Sequence, residues 1–266
     1  MDKKNKYSRI IQELFLQRYT DGEAEVDFTR NDLIEVAKSL NVSVPKNVGD
    51  VLYSFRYRLP LPEEIQATAP EGKEWIIVGT GTATYSFRLS NKAKIIPNPN
   101  LEIIPIPDNT PEVISMYQFS DEQSLLCKIR YNRMLDVFLG IVTYSMQNHL
   151  RTQVDNIGQI EIDEIYVGVN KKGQHFIIPV EAKVGNDKVG VVQLMQDMSY
   201  CEQNFSDLIC VPIAVHRMDD ETLCMFRLTL DKGEAKIVDE KHYKLANSES
   251  LDRAKVANRN RDLTGI

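Results

Sequence analysis

The sequence predicts a mixed chain of helices and strands, α+β or α/β in class, divided into two folding units. Three observations carry that prediction. Helical periodicity fills the first sixty or so residues and then yields to two short β-like runs around Gly79-Thr80-Gly81. A proline-dense stretch from Ile95 to Pro111, with Pro97, Pro99, Pro105 and Pro107 between, allows neither a regular helix nor a central strand. Beyond it, helical and strand-like segments follow one another as in a mixed sheet flanked by helices. A chain of 266 residues has material for two cores.

The first unit is expected over residues 1–94. Tyr7 to Tyr19 sets Ile10, Ile11, Leu14 and Phe15 on one helical stripe, and Asp32 to Leu40 does the same with Leu33, Ile34, Val36, Ala37 and Leu40. Asn41-Val42-Ser43 reads as a turn. Pro45 suits the first turn of a third helix running to about Arg58, whose inner face is Val48, Val51, Leu52 and Phe55. Its other face carries Lys46, Asn47, Tyr53, Ser54, Arg56 and Tyr57. Trp75 to Val78 and Thr82 to Arg88 complete a hairpin. The order resembles a winged helix-turn-helix, which implies that Lys46, Asn47, Tyr53 and Arg56 contact DNA.

Residues 95–111 read as a stiff, extended linker. In the second unit, residues 112–247, Ser120-Asp121-Glu122-Gln123 has the form of a capping box. It opens a helical region through Leu125, Leu126, Ile129, Leu135 and Phe138, bent or broken at Gly140 and continued by a second helix to about Val154. Lys128, Arg130, Arg133 and Arg151 give this region a positive edge for solvent or phosphate. Later, a helix to about Asn204 puts Gln193, Gln196 and Tyr200 on one face, and strands follow at Leu208 to Val215, Thr222 to Leu230 and Ala235 to Val238. Residues 248–266 form a polar tail with Arg253, Arg259 and Arg261, expected to be a frayed helix or disordered.

The chemistry is concentrated between Gly158 and Lys183, two β-like runs around Asn170-Lys171-Lys172-Gly173. A loop of Lys171, Lys172 and Gly173 puts glycine where a left-handed residue is needed. If Asn170 faces Gln174, the register sets Asp163 opposite Glu181, and Glu161 opposite Lys183. Like charges directly opposed at ~5 Å are mutually destabilising, so the pair calls for a cation or a proton. Magnesium suits such a site, because it takes one or two carboxylates and completes its shell with water and substrate phosphate. Lys183 points to the same face as Glu181, where an ammonium can orient water or stabilise charge on phosphate. The opposite face carries Ile160, Ile162, Tyr166, Phe176, Ile178, Val180 and Ala182. Nearer the loop, the triad's own face turns apolar with Ile165, Val167, Val169 and Ile177, so this hairpin is expected to be covered on both sides.

Composition narrows the field. Hydrophobic residues at 42% and charged residues at 26% exclude collagen-like, coiled-coil and disordered classes. Cys127, Cys201, Cys210 and Cys224 form no Cys-x-x-Cys pair, and the four histidines complete no zinc pattern, so the thiols are read as reduced. The start of the chain lacks the apolar core of a secretory signal and no apolar run is long enough to span a bilayer, so a cytoplasmic protein is expected. The net charge of −6 argues mildly against nonspecific polyanion binding, yet carboxylates gathered for metal contribute to it.

The order helix, strand with Asp163, strand with Glu181-x-Lys183, helix with Gln193 and Gln196, then strand, is similar to the PD-(D/E)xK nuclease superfamily in its restriction-endonuclease-like branch. The resemblance covers roughly Ser120 to Val215 and lies in IEIDEIYVG, PVEAK and VVQLMQDMSY. It implies Mg²⁺-dependent hydrolysis of double-stranded DNA, with Mn²⁺ as a substitute, Asp163 and Glu181 on the metal, and Lys183 assisting the water. Gln196-x-x-x-Tyr200 is similar to a helix motif of RecB-like nucleases. Two departures stand: Ile162 replaces the proline that names the motif, and the third acid is unassigned, with Glu122 nearest and Glu164 available if the register slips by one residue. A double-strand break calls for two sites, hence a possible homodimer. The competing readings are a non-catalytic DNA-binding regulator and a nuclease selective for branched or single-stranded DNA.

Overall fold

The computed structural model describes residues 3–57, 59–91, 95–117, 121–185, 189–231 and 233–247. The expected tail at 248–266 and Ser120, at the head of the expected capping box, lie outside them. The first unit runs α1 (Lys3–Leu16), β1 (Glu25–Thr29), α2 (Arg30–Ser39), α3 (Gly49–Tyr57), α4 (Glu63–Gln66), β2 (Lys73–Gly81) and β3 (Thr84–Asn91). The second runs β4 (Ile103–Pro107), α5 (Glu112–Ser115), α6 (Glu122–Tyr131), α7 (Met134–Leu139), β5 (Val142–Val154), β6 (Gly158–Val169), β7 (His175–Val184), α8 (Val191–Asn204), β8 (Ile209–Cys210), β9 (Ile213–Arg217), β10 (Leu223–Asp231) and β11 (Glu234–Ala246).

In the first unit the expected stripe of Ile10, Ile11, Leu14 and Phe15 is fully buried against Leu33, Val51, Leu52, Trp75 and Phe87. Asn41 makes the turn after α2 in a left-handed conformation, φ 53°. Two differences have local causes. The strand Glu25–Thr29 alternates buried and exposed over only five residues, and it pairs with β3 to make a three-stranded sheet of order β1-β3-β2. The third helix begins at Gly49, later than Pro45, because the Asn47 side chain takes the Gly49 amide at 3.2 Å and donates to Asp50 at 2.7 Å. The expected end of that helix at Arg58 falls outside the described residues.

The second unit is built on a mixed, open sheet of eight strands, in the order β4-β11-β10-β9-β7-β6-β5 with β8 paired to β7. Helices flank it. From α6 and α7, Leu125, Leu126, Ile129, Leu135 and Phe138 pack on Tyr166, Ile178, Val180, Ala182 and Val215. On the other face α8 sets Leu194 against Ala214 and Phe226, and Cys201 against Ile165 and Ile177. β7 and β9 are parallel neighbours joined through α8, while β5, β6 and β7 are antiparallel. Among the described residues no helix is long and apolar enough to cross a membrane.

Three expectations for this unit are corrected. The region after Gly140 is a 13-residue strand and not a second helix. Gly140 caps α7 in the left-handed conformation, and the β-branched and aromatic run Val142-Thr143-Tyr144 then favours an extended chain. The proline-rich segment is only partly a linker: Ile103–Pro107 lies parallel to β11 on the edge of the sheet, where prolines without N–H groups are tolerated. Finally, Ile160 and Ile162 pack with Ile165 and Ile177 on the α8 side and not with Tyr166, because β6 leaves β7 at Asp163 and the alternation does not run through that point.

Candidate active site

The hairpin loop sets the geometry. Gly173 is left-handed at φ +71° and its amide meets the Asn170 carbonyl at 2.9 Å. The pairs Val169↔His175 through Glu164↔Val180 follow the expected register without a slip. Pairing then stops one step short of the two carboxylates. In place of the next ladder bond, Asp163 Oδ2 accepts the Ala182 amide at 3.0 Å. Beyond this point β6 continues with β5, while β7 continues with β9. The site therefore lies in the fork between two parting strands.

Glu181 is only 3% exposed. Its Oε2 accepts from Gln193 Nε2 at 2.8 Å and lies 3.5 Å from Lys183 Nζ, while its Oε1 is buried and has no hydrogen-bond partner among the described residues. Lys183 Nζ is also 3.6 Å from Glu122 Oε1, which brings the first turn of α6 to the site. Of the predicted side chains, Glu181 thus meets Lys183 and Gln193 directly, Glu122 joins through the lysine, and Asp163 is tied to the same strand through the Ala182 amide. Gln196, the next predicted residue on α8, is buried.

A fourth acid has no counterpart among the residues predicted from the sequence. Asp197 is 2% exposed, leaves Oδ1 without a hydrogen-bond partner among the described residues, and lines a small cavity with Glu181, Leu194, Pro212 and Ala214. Its sequence signal is an acid between Leu194 and Cys201 at i, i+3 and i+7, in the stripe that α8 buries.

Burial governs the electrostatics. It pushes the Glu181 carboxyl well above the usual range, and the charges of Asp197 and Asp163 push the same way against Lys183. Asp197 is raised well above its ordinary value, first by burial and then by Asp163 and Cys210. Asp163 is raised by burial, opposed by the Ala182 amide and by Lys183. For Lys183 burial works against the ammonium, but Glu181, Glu122 and Asp163 outweigh it and hold the charged form. Closely spaced buried acids do not all ionise at neutral pH unless a cation joins them.

Among the described residues no three His, Cys, Asp or Glu side chains converge as a complete metal-holding group. A magnesium ion needs less from protein. Asp163 and Glu181 supply two hard oxygen donors, and the orphaned Glu181 Oε1 fits a cation that fills its other positions with water and phosphate.

Glu164 is not a ligand in this arrangement. Facing the other way, it ion-pairs with Arg130 and accepts the Tyr166 hydroxyl at 2.5 Å. This commits Arg130 to a structural contact. Arg133 is exposed at the start of α7 in a left-handed conformation and pairs with Asp136. Arg151 stands exposed on β5 and bonds Glu161 at 3.1 Å. Tyr200 packs edge-on against Phe205, with centroids 5.9 Å apart. Lys46, Asn47 and Tyr53 stay with the first unit, Tyr53 exposed and Asn47 capping α3. Arg56 is directed towards Gly79, where an added Cβ would lie 3.5 Å from its Nη2, near the contact of β2 with the second unit.

Compared with known proteins, the chain matches no family model and no curated sequence.

Proposed function

We propose that the chain is a metal-dependent endodeoxyribonuclease of restriction-endonuclease-like design, hydrolysing phosphodiester bonds in double-stranded DNA. One observation carries the reading: Glu181 is buried beside Lys183 and Asp163 with one carboxylate oxygen that no group among the described residues satisfies. Asp163 and Glu181 would hold Mg²⁺, or Mn²⁺ in its place. Such an ion, when bound, polarises the scissile phosphate and lowers the pKa of its water.

The chain's own groups do the rest. Gln193 fixes Glu181 by its Oε2 and leaves Oε1 for the ligand. Lys183, kept cationic by the surrounding acids, orients the attacking water and stabilises charge on the phosphate. Glu122 restrains the ammonium from the α6 side. In the same reading the first unit, with its element order α1-β1-α2-α3-α4-β2-β3, is a winged helix that engages DNA outside the cut site. A second copy of the chain would supply the second cut.

The test is incubation of plasmid and mixed genomic DNA with protein and Mg²⁺, beside Lys183→Ala and Asp163→Ala. The parent should cut, and each variant should lose about 10²–10³-fold in rate, the usual effect of removing one charge-stabilising group. A parent that cuts none of a diverse DNA panel, or variants that cut as fast as the parent, would overturn the assignment. Binding without cutting would favour a DNA-binding regulator.

A further inference from the structure

Past the fork at Asp163, β5 and β6 form a two-stranded ribbon. β6 is hydrogen-bonded to β7 only from Glu164 to Val169, and β5 is the edge of the sheet. Leu150, Val154, Ile160 and Ile162 turn one face of the ribbon onto α8, packing with Cys201 and Tyr200. The alternate residues His149, Arg151, Gln153 and Gln159 are exposed on the other face, with Glu161 among them.

We propose that this face of the ribbon is the base-reading element for duplex DNA, entering the major groove while Asp163 at its base meets the backbone. The substrate class rests on the nuclease reading of the adjacent site. A major groove ~12 Å wide admits a two-stranded ribbon, and Arg and Gln are the side chains that make paired contacts to guanine and adenine edges. The deep, narrow major groove of A-form RNA does not admit one.

Three features fit the ribbon for this role. First, charge is locally favourable: between Asp136 and Asp155 the chain has no acidic residue, within a protein of net charge −6. Second, the donors are held in place. Glu161 accepts from Arg151 at 3.1 Å and lies 3.2 Å from His149 Nε2, fixing the two across the strands. Third, the ribbon is anchored at its turn, where the Asp155 amide meets Gln203 Oε1 at 2.9 Å and the Ile157 carbonyl lies against Gly79 of β2. An anchored reader loses little freedom on binding. His149 also has a left-handed backbone, φ 50°, a strained conformation of the kind that clusters at working sites.

The experiment is selection of bound sequences from a randomised duplex DNA pool by the full chain without added divalent ion. Arg151→Ala, Gln153→Ala and a control, Lys241→Ala on β11, are run alongside. These side chains are exposed, and thermal melting checks that each variant is folded. The expected result is that Arg151→Ala and Gln153→Ala each weaken preference at one or two adjacent base pairs by roughly 5- to 150-fold, while Lys241→Ala keeps the parent's preference. Arg151 and Gln153 variants that select the parent's sequence, a preference that moves equally with Lys241→Ala, or no enriched sequence would each overturn the proposal. Plasmid cutting with Mg²⁺ is scored separately. Cutting by a parent whose preference ignores Arg151 and Gln153 removes the ribbon alone; binding preference that follows them without cutting removes the nuclease reading alone.

Discussion

Replacing Asp197 with Asn should stabilise the protein at neutral to alkaline pH without divalent ion. Two buried carboxylates, Glu181 at 3% and Asp197 at 2% exposure, each keep one oxygen without a hydrogen-bond partner among the described residues. An unsatisfied buried polar group costs about 1–3 kcal/mol, and more if charged. Asn preserves the shape and removes one charge facing Glu181, so a gain of about 1–3 kcal/mol is expected, each kcal/mol worth roughly 2–4 °C of melting temperature. The sign of the pH dependence follows from both pKa values being raised, chiefly by burial. An acid with a raised folded-state pKa contributes stability that is complete below its unfolded value, near 4, and is lost as pH rises through the folded value. The parent should therefore weaken as pH rises from about 4 to 8, and the advantage of Asp197→Asn should be largest at the alkaline end and vanish near pH 4. Urea unfolding of both proteins across that range, with chelator present, measures this directly. An Asp197→Asn variant less stable than the parent at pH 8, or a difference that does not change with pH, would refute the reasoning.

Two further outcomes test the frame around the site. Arg130→Ala strands Glu164 at 1% exposure; breaking a fully buried pair costs about 3–5 kcal/mol, and with Arg130 partly open to solvent a loss of about 2–3 kcal/mol is expected in urea unfolding. Arg130→Lys should recover part of it. Gly79→Val drives a side chain into the Ile157 carbonyl, so it should destabilise by about 1–3 kcal/mol and increase proteolytic cleavage between residues 154 and 158. An unchanged melting curve and digestion pattern would mean that β2 and the β5–β6 turn do not bear on one another in solution.

The centre of the site was legible because one short loop fixes it. Asn170 and Gly173 close the hairpin in a single way, and from that register Asp163, Glu181 and Lys183 fall together. The stop at Glu164↔Val180 was not legible, since alternation continues smoothly through IEIDEIY and gives no sign that the strands part. Asp197 is hidden for a related reason: the polar pattern of Gln193, Gln196 and Tyr200 marks one face of α8, whereas the acid sits on the buried stripe. The sequence of β5 reads equally as a helix because Met146, Gln147 and Leu150 suit either state, and only pairing with β6 decides between them. In the proline-rich segment, Pro105 and Pro107 masked a five-residue strand whose partner, β11, lies more than a hundred residues further on.

That partnership bears on how the protein comes to fold. β4 can take its place only after β11 exists, because Ile103 to Pro107 pair with His242 to Ala246 and, among the described residues, with no nearer strand. On a ribosome, the helices and the β2–β3 hairpin of the first unit can settle as they emerge, since that hairpin's pairing is short in sequence. The larger sheet has to wait for its last strand, and closing so long a loop is slow. During that interval β10 presents an unfinished edge. The nascent chain is then most exposed to aggregation, and to chaperones, just before the fork around Asp163 is held in a completed sheet.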